Sequence, residues 1–160
     1  MVFIFILILL FSVGRYIDLS SLALSTDSPF YTMLTFHFVH FKWYHLLSNL
    51  FLFVFYWRYM RVSNYRFTIP IIIVSSLLAA WVSRYATPTV GCSAIIMAMA
   101  GILVATLNRK LLLKNLLIFA LSFAILACVS HINTLIHITS FTTAFILAKA
   151  AGNKHICRRR

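Results

Sequence analysis

Three short groups of polar residues lie within apolar stretches of the chain, and each contains a side chain suited to acyl-transfer chemistry. His45 and Asn49 are four residues apart, so on a helix they share one face, and both can donate hydrogen bonds to a developing negative charge. Ser93 follows Gly91, whose backbone freedom permits a tight turn at a helix start. A serine there lies beside the unpaired N–H groups of the helix N-terminus. His137 becomes a candidate general base if its helix packs against that of Ser93.

Each group also has a purely structural interpretation. His45 and Asn49 can hold neighbouring helices together, as such side chains do in membranes. The Gly-x-Ser pattern is short and is also what begins and packs an ordinary helix. A lone His137 in an apolar segment is more often a packing residue than a catalyst, and His131 is a rival general base. Spacing alone therefore leaves function and packing open.

The composition indicates that lipid is the solvent for much of the chain. Hydrophobic residues make up 62% and charged residues 10% of the 160 positions, whereas a soluble domain is roughly 25% charged. A net charge of +12 also suits a nucleic-acid binder. However, the basic residues punctuate apolar runs instead of clustering with stacking aromatics, so a membrane protein is favoured and no nucleic-acid partner is expected.

The scarcity of acidic residues excludes several kinds of catalytic site. The chain has no glutamate, and Asp18 and Asp27 are its only acids. A His-Glu-x-x-His metalloprotease, an aspartyl intramembrane protease and a carboxylate proton relay all need acids that are missing from the apolar segments. The three cysteines share no short spacing, so neither a disulfide framework nor a zinc motif emerges. We expect no metal and no cofactor.

Six apolar segments are long enough to be considered as membrane-spanning helices, which need about 20 residues each. The first is interpreted as a span and not as a signal peptide, because it lacks a positively charged start. The sequence thus predicts an all-α membrane protein, a single domain over 1–160. The predicted spans are 1–16, 43–60, 67–86, 91–108, 111–130 and 132–151.

The distribution of Lys and Arg predicts the orientation of these spans. One set of connections carries eleven basic residues and the opposite set carries three. The positive-inside rule places the richer set, and with it both termini, in the cytoplasm. The longest connection, 14–42, then lies outside. The richer set comprises Arg58, Arg61, Arg66, Arg109, Lys110, Lys114, Lys149, Lys154 and Arg158 to Arg160, and the poorer set Arg15, Lys42 and Arg84.

Taken in order, the polar groups resemble the pattern of the rhomboid family of intramembrane serine proteases. That family has His-x4-His-x3-Asn on its second span, Gly-x-Ser on its fourth and His on its sixth. Each motif is short, but the ordered set is specific and covers essentially the whole chain. The matching residues are His40, His45, Asn49, Gly91, Ser93 and His137.

The resemblance implies a role for each matching residue. Ser93 would be the nucleophile and His137 its general base, in a dyad that needs no acid. His45 and Asn49, with the backbone N–H groups of Ser93 and Cys92, would form the oxyanion hole. The resemblance also implies a rhomboid-like bundle of six transmembrane helices.

The remaining family positions include one match and several departures. His40 corresponds to a structural histidine of the first outer loop. Met97 stands where relatives often have a tyrosine that stacks on the catalytic histidine. Small residues replace glycines that the family usually has: Ala94 after the serine, and Ser140 and Ala144 after the last histidine. Together with Met97, these departures bear on the reaction rate and on the orientation of His137.

The function implied by the resemblance is a serine endopeptidase of a bacterial inner membrane. Its partners would be the lipid bilayer and transmembrane protein substrates. One alternative is a proteolytically inactive relative that binds transmembrane clients. Another is a transporter that uses His40, His45 and His137 as a metal or proton path.

Overall fold

A computed structural model describes residues 2–14, 16–63, 67–84, 88–127 and 133–151. Within these ranges the chain is an all-α bundle of seven α-helices without strands. Several residues that the sequence predictions name lie outside these ranges, namely Arg15, Arg66, His131, Lys154 and Arg158 to Arg160. The helices are α1 (Val2–Val13), α2 (Thr32–Thr35), α3 (Trp43–Ser63), α4 (Thr68–Val82), α5 (Ser93–Ala105), α6 (Arg109–Ala127) and α7 (Thr134–Ala150).

Each of the six segments predicted to span the bilayer overlaps one of the long helices, α1 and α3 to α7, although α3 ends beyond its segment and α6 begins before its own. In the part of the chain that the structure describes, no helix is both long and apolar enough to meet the criteria for a membrane span. The number of spans therefore stays a prediction. Large apolar side chains are nonetheless exposed along α3 and α6, among them Phe51, Leu117 and Ile125. Extensive exposed apolar surface of this kind marks contact with a partner or a membrane.

Helix α5 lies at the centre of the bundle and contacts α3, α4, α6 and α7. Its sequence is apolar on every face, which is the pattern of a fully buried helix. Its small residues allow neighbouring helices to approach closely. The buried residues of α5 are Ala94, Ile96, Ala98, Met99, Ala100, Gly101, Ile102, Val104 and Ala105.

Helices α5 and α7 pack closely against each other at Gly101. A Cβ atom added to Gly101 would lie 2.3 Å from the carbonyl oxygen of Phe141, 3.1 Å from the backbone nitrogen of Phe145 and 3.2 Å from the Cβ of Ala144. Backbone atoms cannot swing aside as a flexible side chain can. The distance between α5 and α7 is therefore fixed by the missing side chain of Gly101.

The connection 14–42, for which the sequence predicts no helix, contains α2 and two short 3₁₀ turns, Ser20–Leu22 and Phe36–Phe38. A local side chain supports the first of these turns: Asp18 accepts hydrogen bonds from the backbone N–H and the hydroxyl of Ser20, both at 2.8 Å. The bonds with Ser20 lower the pKa of Asp18. Such side-chain bonds to nearby backbone are the usual means by which Asp starts a turn.

This connection is fastened to the bundle at Arg84, just after α4. The Arg84 guanidinium donates to the carbonyl oxygen of Ser25, at 3.2 Å, and to that of Ser28. It also lies over the ring of Phe30, 5.5 Å from the ring centroid. A planar guanidinium can hold two carbonyls and an aromatic face at once. Arg84 therefore ties the outer connection to the end of α4.

We expect Gly101→Ala to destabilise the protein, because α5 and α7 must separate to admit the new methyl group. Overpacking of this kind costs about 1–3 kcal/mol. Thermal unfolding of the purified protein in detergent should show a lower Tm. Ser122→Thr is a matched control, since it also adds one methyl group, but at an exposed position of α6. Equal Tm values for the two variants would contradict the role of Gly101.

Candidate active site

Ser93 and His137 are brought together by the packing of α5 against α7. The Oγ of Ser93 lies 2.9 Å from the Nε2 of His137, although the residues are 44 positions apart in the chain. This is the ordinary distance of a hydrogen bond. Both side chains are half-buried. The structure thus joins the predicted nucleophile and the predicted base in one contact.

Ser93 is the first residue of α5, and the turn before it depends on Gly91. Gly91 has φ = +105°, a conformation that side chains other than glycine rarely adopt. Its N–H donates to the carbonyl oxygen of Phe36 at 2.9 Å. Cys92 precedes the helix and makes no side-chain capping bond. Because the first N–H groups of a helix have no acceptor within it, the backbone beside Ser93 supplies free donors.

The side chains of His45 and Asn49 converge beside Gly91, two residues before Ser93. A Cβ atom on Gly91 would lie 2.7 Å from the Cε1 and 2.9 Å from the Nε2 of His45, and 3.2 Å from the Nδ2 of Asn49. The two residues share one face of α3, as their spacing predicted. An imidazole and an amide are therefore held next to the turn that carries Ser93, where only a glycine leaves room for them.

His40 lies against the same pair and orients Asn49. The Nδ2 of Asn49 and the Nε2 of His40 are 2.9 Å apart. The rings of His40 and His45 meet edge to face, with centroids 5.1 Å apart. An amide nitrogen has two hydrogens, so a bond to His40 leaves Asn49 a second donor. His40 thus contacts Asn49, and its structural role stays a prediction.

Comparison with known protein families identifies the fold. The family model of the rhomboid domain matches residues 27–152, more than half of the chain. The chain belongs to the rhomboid family. Rhomboid proteins are multi-pass membrane proteins, and the family is one of intramembrane serine proteases. A search of curated protein sequences finds no similar protein.

The rhomboid match includes every residue that the sequence analysis selected for the site, but it assigns no roles. The assignments to Ser93, His137, His45, Asn49 and Cys92 therefore stay predictions. No group of three potential metal ligands occurs among the described residues. Asp18 is engaged with Ser20 in the outer connection.

Ser140 makes a contact that the sequence does not predict. The sequence indicates for it only a small residue in place of a glycine. In the structure it is fully buried, and its Oγ donates to the carbonyl oxygen of Ala94 at 2.6 Å. A hydroxyl on an apolar helix needs an acceptor, and this requirement is the feature of the sequence that indicates a bond of this kind.

Met97 lies one turn after Ser93 and packs against the apolar clusters that contain Ile96 and Phe141.

Two histidines outside the predicted spans are buried. Burial lowers the pKa of His40 to about 4, and nearby His45 lowers it further. Burial lowers the pKa of His37 to about 3. His37 has no hydrogen-bond partner among the described residues, and its ring lies against that of Phe36, with centroids 3.9 Å apart. Phe36 also accepts the bond from Gly91, so His37 lies beside the contact that holds the turn before Ser93.

We expect the stability of the protein to fall as the pH decreases from about 6.5 towards 3, because of His37. Over this range His37 is protonated in the unfolded chain but not in the folded chain. Each unit of pKa difference between the two states corresponds to about 1.4 kcal/mol of unfolding free energy. The stabilisation is complete above pH 6.5. His37→Leu removes the buried imidazole, so its Tm should depend less on pH between 7 and 4 than that of the wild type. Parallel curves for the two proteins would contradict the assignment.

We expect Gly91→Ala to abolish the reactivity of Ser93. The new methyl group would displace His45 and Asn49 and would force alanine into an unfavourable φ. Ser122→Thr is the control, since it also adds one methyl group, but on the exposed side of α6. Only Gly91→Ala should lose nearly all activity per folded molecule. Activity assays normalised to the folded fraction would detect the difference, and equal activities would refute it.

Proposed function

We propose that the protein is an intramembrane serine endopeptidase that cleaves peptide bonds within or near transmembrane segments of other membrane proteins. The observation that carries the proposal is the 2.9 Å contact between Ser93 Oγ and His137 Nε2. Membership of the rhomboid family supports the same reaction class. The absence of glutamate and the position of Asp18 favour a dyad over a triad.

In the first half of the reaction, Ser93 attacks the scissile carbonyl carbon. As the Oγ–C bond forms, His137 Nε2 takes the hydroxyl proton as general base. The carbonyl oxygen becomes an oxyanion. His137 then passes the proton to the leaving amine, the C–N bond breaks, and an acyl ester on Ser93 remains.

The oxyanion would be stabilised by donors that converge beside Gly91. These are the imidazole of His45, the second amide hydrogen of Asn49 and the N–H groups of Ser93 and Cys92. Such donors are worth about 2.7–4 kcal/mol each in serine proteases. They act in a site where His40 and the turn at Gly91 already hold them in place, so little reorganisation is needed during attack.

In the second half, water hydrolyses the acyl ester. His137 takes a proton from the water, the hydroxyl oxygen bonds to the acyl carbon, and the Ser93 Oγ leaves with a proton returned by His137. Water must therefore reach the start of α5. The predicted orientation supports entry from the outer face, with both termini in the cytoplasm of a bacterium and the site near the outer surface of its inner membrane.

The substrate class follows from the backbone of a transmembrane helix. In lipid, its carbonyl groups are already hydrogen-bonded within the helix. The segment must unwind before Ser93 can attack, so substrates with small or helix-breaking residues near the scissile bond should be preferred. Such a substrate would enter the site sideways from the bilayer.

We expect a fluorophosphonate, which reacts with activated serines, to label the purified protein at Ser93. Ser93→Ala should not be labelled, and His137→Ala should be labelled far more slowly, because loss of either dyad member costs several orders of magnitude in serine proteases. Ser122→Ala is the matched control, since it removes an exposed hydroxyl of α6, and it should label like the wild type. Equal labelling of wild type and Ser93→Ala would reject the nucleophile.

The same variants should be tested on a model transmembrane substrate in liposomes. Wild type should cleave it, and both dyad variants should not. If wild type and His137→Ala leave the substrate equally intact, the inactive alternative that only binds clients is favoured instead.

A further inference from the structure

We propose that Asn133 is a positioning residue, which holds His137 in register with Ser93 through bonds to the end of α4 and to the segment that precedes the nucleophile. This inference rests on the proposed protease function. It concerns the first turn of α7, which carries His137, and the turn before α5, which carries Ser93.

The side-chain amide of Asn133 makes three hydrogen bonds to three parts of the fold. Its Oδ1 accepts from the N–H of Ile136 at 3.3 Å and so caps the start of α7. Its Nδ2 donates to the carbonyl oxygen of Ser83 at 2.8 Å and to the Oγ1 of Thr89 at 3.1 Å. Both amide hydrogens and one acceptor position are thus used. The amide joins α7 to two separate segments at one point.

Both partners of Asn133 are themselves fixed. The N–H of Ser83 bonds to Ala79 at the last turn of α4. Thr89 exchanges two backbone bonds with Leu24, of 2.8 and 3.0 Å. The amide of Asn133 therefore connects the base-bearing helix to anchored backbone. It does not connect one mobile segment to another.

The contact of Asn133 with Thr89 joins the same two segments as the contact of His137 with Ser93. Asn133 precedes His137 by four residues, about one helical turn, and Thr89 precedes Ser93 by four residues. On the other side of the dyad, Ser140 bonds to the carbonyl of Ala94. Two polar contacts between the same pair of segments thus enclose the contact of Ser93 with His137, one on each side along α7.

Loss of the Asn133 donors would free the first turn of α7 to move relative to Ser93. The contact of Ser140 would still hold the helix one turn later, so the fold would persist. His137 would then be displaced from the 2.9 Å contact in a correctly folded protein. Small displacements of a reacting group are costly, which is how a side chain outside the dyad controls the rate.

The test uses Asn133→Ser and Thr89→Val in the full-length protein. Serine caps helices about as well as asparagine, but it is too short to reach Ser83 and Thr89. Thr89→Val removes the hydroxyl acceptor and retains the backbone bonds to Leu24. Each variant should lower kcat about 10- to 100-fold with KM within about twofold of wild type, as expected for an interaction that acts on the chemical step. The double variant should be no slower than Asn133→Ser, because the contact that Thr89→Val removes is already lost in Asn133→Ser.

Two measurements separate positioning from general damage. Asn115→Ser is the matched control: Asn115 lies on α6 and bonds only to the carbonyl of Leu111 in its own helix among the described contacts, so kcat should not change. The ¹⁵N chemical shifts of the His137 ring, assigned with His137→Ala, report the bond to Ser93 directly. In Asn133→Ser they should move towards those of Ser93→Ala, with Tm close to wild type.

Unchanged kcat and unchanged His137 shifts in Asn133→Ser would overturn the proposal. So would a loss of kcat that appears only with a matching loss of Tm, or additive effects in the double variant. The spectroscopic measurement does not need turnover. If the wild type cleaves nothing but the His137 shifts still move in Asn133→Ser, the protease function fails and the positioning role of Asn133 stands.

Discussion

The architecture of the site depends on how closely α5 and α7 approach at Gly101. There a hydrogen atom occupies the space that a methyl group would need, 2.3 Å from the backbone of α7. A serine side chain is short, so Ser93 can reach His137 only if the two helices lie this near. A hydrogen bond weakens steeply beyond its usual length. The packing along the middle of α5 and α7 therefore controls the contact between Ser93 and His137 at one end of the two helices.

A second set of contacts, independent of this interface, positions the candidate oxyanion donors. Gly91 is held by Phe36, and the segment before it pairs with Leu24. The outer connection that contains both residues is also bonded to Arg84, next to Leu24. His45 and Asn49 come from α3 and meet the turn only because Gly91 has no side chain. The dyad is thus set by helices, whereas the donors around it are set by a loop that must itself be held in place.

The sequence allowed the helices and the site residues to be predicted, and it failed on particular contacts. Ser93, His137, His45 and Asn49 could be selected because their residue types, spacing and order carry the chemistry, and the rhomboid fold is confirmed. The bond of Ser140 to Ala94 joins residues 46 positions apart, and no local pattern encodes such a partner. The turns around Ser20 and Phe36 were missed because their short hydrogen-bonded motifs lack the periodicity of helices. The number of spans, the orientation and the catalytic roles stay predictions.

A serine–histidine pair without a carboxylate raises the question of what orients the imidazole. In a triad, an acid bonded to Nδ1 fixes both the tautomer and the ring plane. Here the acids are two aspartates near the start of the chain, and Asp18 is bound to Ser20. The orientation must therefore come from the backbone of α7, since the rotamers of His137 are limited by the helix that carries it. A helix can replace an acid in this way only if it cannot slide or rotate. Polar contacts of α7 on both sides of His137, at Asn133 and at Ser140, meet that requirement without placing a charge in an apolar interior.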